Sequence, residues 1–220
     1  VQATENIMTI TSRQDQLLLA TLGHVPFDGW SQAALRHAEH DLEMAPGTAH
    51  CLFPRGIPDV LAHLEEWANL QMESGWAATP TGSLKVREKI ALAVRLRLTA
   101  LSPYREALRR LPGHAFANLR GMDLPVAVWH TCDRIWRLAG DTATDFNYYT
   151  KRGLLAGVYS ATLLYWLRDE SDAHTATWAF LDRRLQDVMQ IPKLTAPFRR
   201  ACTDLGHLAA QMRAVVRPRS

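Results

Sequence analysis

Apolar positions recur at steps of three and four along nearly the whole chain, and no alternating run of useful strand length occurs. The pattern therefore predicts an all-α protein. A first helix is expected from Ser12 to Gly23, with Leu17, Leu18 and Leu22 turned inward and Ser12 as its N-cap. Val25 to Gly29, containing Pro26 and Gly29, is expected as a turn. Ser31 should cap a second helix to about Glu43, and Pro46-Gly47-Thr48 leads into a short third helix ending near Phe53-Pro54. A longer helix, Pro58 to Glu73, carries Val60, Leu61, Leu64, Trp67, Ala68 and Leu70 on one broad face, and Gly75 to Gly82 is the expected break. From Ser83 to about Ala100, Lys85, Arg87, Lys89, Arg95 and Arg97 alternate with Ile90, Leu92, Val94, Leu96 and Leu98, so the basic residues are assigned to a solvated face, with an anionic membrane surface as the alternative. A short helix from Pro103 to Leu111 and another piece to Arg120 come next. Leu124 and Pro125 then open a helix with Val128, Trp129, Ile135, Trp136 and Leu138, closed by Gly140.

The next helix is the most unusual. A polar loop, Gly140 to Thr144, precedes Asp145, Phe146, Asn147, Tyr148 and Tyr149, and Thr144 or Asp145 can cap the first turn. Capping uses one residue of that group and leaves the others unexplained. Gly153, Gly157 and Ala161 are spaced four apart and form a smooth strip. Each glycine costs roughly 1 kcal/mol against alanine in a helix, so close packing of a neighbouring helix is expected there, with a ligand against bare backbone as the alternative. The apolar run from Leu154 to Leu167 falls short of the ~20 residues that span a bilayer, so this helix reads as buried. After a polar turn at Asp169 to Asp172, a helix to about Ile191 places Trp178, Phe180, Leu181, Leu185, Val188 and Met189 mainly in the core, with Asp182, Arg183, Arg184 and Asp187 as local ion pairs. The last helix begins near Pro197, with Phe198, Leu205, Leu208 and Met212 on one face and Arg199, Arg200 and Arg213 on the other. That is the pattern of an interfacial membrane helix, and equally of a helix packed on its own core or on a second subunit.

Charge and cysteine content narrow the chemistry. The net charge is only +3, but Ser83 to Gly121 holds nine Lys or Arg against two acids, while Asp28 to Val60 holds two against five. The first region can face anions and the second cannot do so easily. The cysteines, Cys51, Cys132 and Cys202, are far apart with no C-x-x-C pair, which argues for core thiols in a reducing compartment. No E-x-x-H, H-E-x-x-H, Walker loop, G-x-G-x-x-G or G-x-S-x-G occurs, so no catalytic residue is assigned and no cofactor is expected. His37 and His40 beside Glu39 could supply two metal ligands, but with no third ligand identifiable they are assigned to a solvated surface pair.

Two stretches resemble known families. The three short helices and the segment TAHCLFPRGIPDVL resemble the helix-turn-helix module of TetR-type regulators. A DNA reader needs cations against phosphates and polar side chains on its recognition helix; here that helix offers Thr48 and His50 in acidic surroundings, so no nucleic acid is expected. AGDTATDFNYYTKRGLLAGVYSATLLYWLRDES, with TWAFLDRRLQDVM after it, resembles the coenzyme Q (ubiquinone) biosynthesis accessory proteins, the ninth member of the COQ set, from Gly140 to Met189. That resemblance implies a TetR-like fold used to bind lipid, and a non-catalytic role beside a di-iron demethoxyubiquinone hydroxylase that holds the iron itself. The partner surface falls on Asp145, Tyr148 and Tyr149, with Tyr148 where relatives often have Trp and with Lys151 and Arg152 in the motif's basic positions. A cavity for an isoprenoid quinone or phospholipid is implied among the C-terminal helices, with Trp129, Trp136, Leu154, Leu155, Val158 and Tyr159 as its candidate wall. Phe198, Leu205, Leu208 and Met212 would meet the membrane surface. The expected organisation is a helix-turn-helix-like module at 12–56, a lipid-binding core at 57–192 and an amphipathic helix at 193–217. The expected location is peripheral, on the cytoplasmic face of a bacterial inner membrane, or on the matrix side if a transit peptide was removed. A TetR-like regulator with a small-molecule pocket is the alternative, an enzyme acting on the quinone is a third, and a homodimer is left open.

Overall fold

The computed structural model describes residues 12–111, 124–142 and 146–188, and every regular element among them is helical. The N-terminal part is α1 (Arg13–Asp28), α2 (Gln32–Asp41) and α3 (Thr48–Leu52). Serine caps set the first two boundaries as the sequence predicts: Ser12 Oγ accepts from the Asp15 amide at 3.0 Å while Asp15 reaches back to the Ser12 amide at 3.1 Å, and Ser31 Oγ accepts from the Ala34 amide. The expected turn at Val25 is absent. α1 runs through Pro26 and stops at Gly29 (φ +66°), whose amide donates to Val25 O at 2.9 Å. A proline in the last turn removes a single helical bond, and the complete burial of Val25 outweighs that loss.

Then come α4 (Ile57–Ala77), α5 (Val86–Leu101), a 3₁₀ turn (Ser102–Tyr104) and α6 (Arg105–Arg109). Gly75 does not break α4. A Cβ at that position would lie 3.0 Å from Leu96 Cδ2, so the glycine lets α4 approach α5. The chain continues as α7 (Leu124–Leu138), α8 (Phe146–Arg168) and a last described helix, α9, over 175–188. α1 packs on α2, α4 on α5 and α7 on α8, with α7 also set against α4 and α5. Their buried residues form one cluster that runs from Leu17 to Leu185.

The basic face expected on α5 is divided. Arg97 is 1% exposed and is a core residue. It donates from Nε to Asn69 Oδ1 at 3.0 Å and from Nη1 to the Tyr159 hydroxyl at 2.6 Å, and it pairs with Glu65. Thr131 Oγ1 donates to the same Asn69 oxygen at 3.1 Å, so residues of four helices join in one network around this cation. Burial disfavours the Arg97 charge, yet Glu65, Tyr159 and Cys132 together outweigh it and hold the pKa above the ordinary value. Arg105 and Arg109 are also used internally: they donate to Asp169 O and Leu167 O, at the carbonyl end of α8, where cations suit the helix dipole. Asp182 pairs with Arg95 of α5 at 2.8 Å, so that ion pair joins two helices and is not local; Arg184–Asp187 is local, as expected. Cys132 is buried as predicted, and burial pushes its thiol up to about 12, while Cys51 is exposed and not a core residue. Cys202, the piece to Arg120 and the entire last helix lie outside the described residues.

Candidate functional site

The α7–α8 hairpin carries the motif that the sequence singles out. Gly140 ends α7 at φ +90°, a region that favours glycine, and the Asp141 amide returns to Trp136 O at 2.9 Å. This turn swings the Asp141 carboxylate back over the first turns of α8. Lys151 Nζ donates to Asp141 Oδ1 at 2.6 Å, and Arg152 Nη1 to Asp141 Oδ2 at 3.1 Å. Arg152 Nε donates to Asp133 Oδ1 at 2.7 Å, the same oxygen that receives the Tyr148 hydroxyl at 3.0 Å, while Arg137 holds Asp133 Oδ2 at 2.8 Å. Burial works against ionisation of Asp133 and Asp141, but the arginine, lysine and tyrosine donors prevail and lower both pKa values. The Arg152 guanidinium also lies 3.5 Å from the centroid of the Tyr148 ring, a cation–π contact.

Above this charged base stand three aromatic rings. Tyr149 stacks on Trp129 with centroids 6.0 Å apart, and Tyr148 meets Tyr149 edge-on at 5.1 Å. Tyr149 is 63% exposed, and Val126, about one helical turn before Trp129 on α7, is exposed as well. Of the expected partner-binding residues, Tyr149 is thus available to a partner, Tyr148 is half-buried, and Arg152 is 1% exposed. Arg152 cannot touch a partner directly, since its donors are turned onto Asp133, Asp141 and the Tyr148 carbonyl; its place is behind Tyr148. Asp145 lies outside the described residues, as do Phe198, Leu205, Leu208 and Met212.

The six candidate wall residues do not share one surface. Trp136, Leu155, Val158 and Tyr159 are core: Trp136 Nε1 donates to Lys151 O at 3.1 Å, and the Tyr159 hydroxyl belongs to the Arg97 network. Trp129 and Leu154 are partly exposed. Among the described residues the small-residue strip departs from the packed-helix reading and leaves the ligand alternative open, because a Cβ at Gly153 or Gly157 meets nothing within 4 Å and both glycines are exposed. α8 is therefore buried on one side only among the described residues. On its open side Leu164 is 58% exposed, and Tyr165 stacks on Phe180 of α9 at 4.7 Å. Ala161, Leu164, Tyr165, Arg168, Asp169, Glu170 and Phe180 line a groove of about 600 Å³ there. Sequence reasoning placed Phe180 in the core and missed this groove, because periodicity does not say which side of α8 is left uncovered.

The helical arrangement defines a TetR-like all-α protein: it matches a TetR transcriptional regulator from Nitrosomonas europaea with a TM-score of 0.65 at 18% identity, covering 80% of this chain and 97% of that one. Within that fold class the chain is similar to the COQ9 family, whose model matches residues 124–192, a span that takes in α7, α8 and α9. It is 34% identical over 187 residues to the ubiquinone biosynthesis protein COQ9, mitochondrial, of Drosophila melanogaster, covering 80% of this chain and 55% of that protein. It is 28% identical over 214 residues to the human protein of the same name, covering 91% and 61%. A probable coq9 protein of Dictyostelium discoideum is 36% identical over 115 residues, or 50% and 36%. The chain thus spans little more than half the length of the Drosophila relative.

Proposed function

We propose that this chain acts in ubiquinone biosynthesis as a lipid-binding accessory protein, which holds polyprenyl quinone intermediates and presents them to the di-iron demethoxyubiquinone hydroxylase. One observation carries the reading: an exposed Tyr149 stacked on Trp129 over a paired ionic base, inside the segment matched to the COQ9 family. A fold gains little by leaving a tyrosine in water, whereas aromatic anchors on a fixed support are what protein interfaces use. In this reading Tyr149 makes the contact, Arg152 and Asp133 hold Tyr148 beneath it, and Asp145 contributes at the same helix start.

The lipid would lie along the open side of α8, where Leu154, Gly157, Ala161 and Leu164 succeed one another at helical spacing towards the Tyr165–Phe180 groove. Trp136, Leu155, Val158 and Tyr159 stand behind that face as its support. Each isoprene unit resists water by roughly 4 kcal/mol, at ~0.8 kcal/mol per CH₂, so a quinone tail must remain in the bilayer or on apolar surface throughout. Among the described residues no helix is long and apolar enough to cross a membrane; the face Phe198, Leu205, Leu208 and Met212 is the proposed membrane contact. A DNA-reading role is disfavoured by the acids that occupy the relevant positions: Glu39 Oε1 accepts from the Ala49 amide at the start of α3, and Arg55 is tied to Asp59 at 2.6 Å.

Binding of the purified hydroxylase tests the docking surface. Tyr149→Ala should weaken its affinity tenfold or more, while Phe27→Ala, at a still more exposed aromatic on α1, should leave it unchanged. Wild-type affinity in Tyr149→Ala would place the docking surface elsewhere.

A further inference from the structure

The N-terminal helices hold a cluster that the lipid reading does not use. His24 and Asp28 are one turn apart on α1, and His37 and Asp41 are one turn apart on α2. The two helices pack so that the pairs cross. His24 Nε2 lies 2.8 Å from Asp41 Oδ2, and His37 Nδ1 lies 2.7 Å from Asp28 Oδ2. The two imidazole rings are 5.5 Å apart, and one donor atom from each of His24, Asp28 and His37 falls within 4.8 Å of the other two. His37 therefore has the further ligands that its own helix could not supply. The extension of α1 through Pro26 is what brings Asp28 into the group.

We propose that His24, Asp28 and His37 bind one divalent transition-metal ion of the Zn²⁺ type, fastening α1 to α2. Two imidazoles and a carboxylate are the donor set that borderline ions select, and one that hard Ca²⁺ or Mg²⁺ does not. A tetrahedral ion with ligands at about 2.0–2.1 Å needs donors about 3.3 Å apart, so small side-chain rotations bring all three into place. The Asp41 carboxylate, hydrogen-bonded to His24, orients that ring in the way outer carboxylates support metal-bound histidines. The His24 and Asp28 side chains are about one quarter exposed and that of His37 about half, so an ion can enter from solvent and keep a water as its fourth ligand.

Titration of the metal-free full chain with ZnCl₂ against a chromogenic chelator decides the matter. One equivalent should bind, His37→Gln and Asp28→Asn should each weaken binding at least tenfold, and His40→Gln should leave it unchanged. Zinc should raise Tm in the wild type and not in His37→Gln, whose circular dichroism should match the wild type because the side chain is largely in water. Absence of uptake by the wild type, or wild-type affinity in both ligand variants, would overturn the proposal. Co²⁺ in place of Zn²⁺ should give visible bands without a thiolate charge-transfer band; that band would assign the metal to cysteine and equally overturn it.

Discussion

Arg97 is the residue on which sequence and structure differ most instructively. Its helical position places it among lysines and arginines, and that pattern implies a solvated face. Nothing local signals otherwise, because its partners Glu65, Asn69 and Tyr159 come from α4 and α8. A buried guanidinium is tolerated only when its donors are used, so each partner is critical to the core. Asn69→Leu keeps the branched four-atom skeleton but leaves Arg97 Nε and Thr131 Oγ1 without their shared acceptor. It should destabilise the protein by about 2–3 kcal/mol in urea unfolding; a loss under ~0.5 kcal/mol would mean that water or another group replaces the amide. The caps Ser12 and Ser31, in contrast, were legible from sequence, since a cap acts on amides three residues away.

At the scale of elements, α8 is two surfaces joined by one helix. Its first turns are fixed by a paired ionic base, and its outer side, at Gly153 and Gly157, is open among the described residues. Periodicity finds the small-residue strip but gives no indication of whether anything covers it, which is why both a packed helix and a ligand were consistent with the sequence. With open space at both sites, Gly153→Ala together with Gly157→Ala should stabilise the helix by about 1–2 kcal/mol, read as a rise in Tm. A fall in Tm would show that another element packs there. The entry to α9 is set by Asp169, whose carboxylate accepts from the Ser171 and Thr177 amides at 2.8 Å each. Burial opposes its ionisation, but these donors prevail and hold its pKa well below the ordinary value. Its stabilisation is therefore complete above about pH 5 and is lost as pH falls below about 4, towards the folded pKa. Asp169→Asn should cost about 1–3 kcal/mol at pH 7 and flatten the loss of stability between pH 5 and 2. An acid-unfolding profile parallel to the wild type would contradict that role.

For the whole molecule, the all-α class was legible because helical periodicity persists through nearly every segment, and the TetR-like architecture through the resemblance carried by the three short helices and TAHCLFPRGIPDVL. The function-bearing surface was legible only in part. An unusual motif at a helix start announces itself, but the division of Tyr149 to solvent and Arg152 to the interior depends on where the α7–α8 turn delivers Asp133 and Asp141. In the proposed role those two surfaces cooperate: the open side of α8 carries the lipid, and the aromatic stack delivers it to the partner. The most direct measurement is hydroxylase turnover of a demethoxyubiquinone held in liposomes, with wild-type chain, with Tyr149→Ala, or with neither. The account predicts at least tenfold acceleration by the wild type and none by Tyr149→Ala at equal liposome binding. Equal acceleration by both proteins, or none by the wild type, would contradict it.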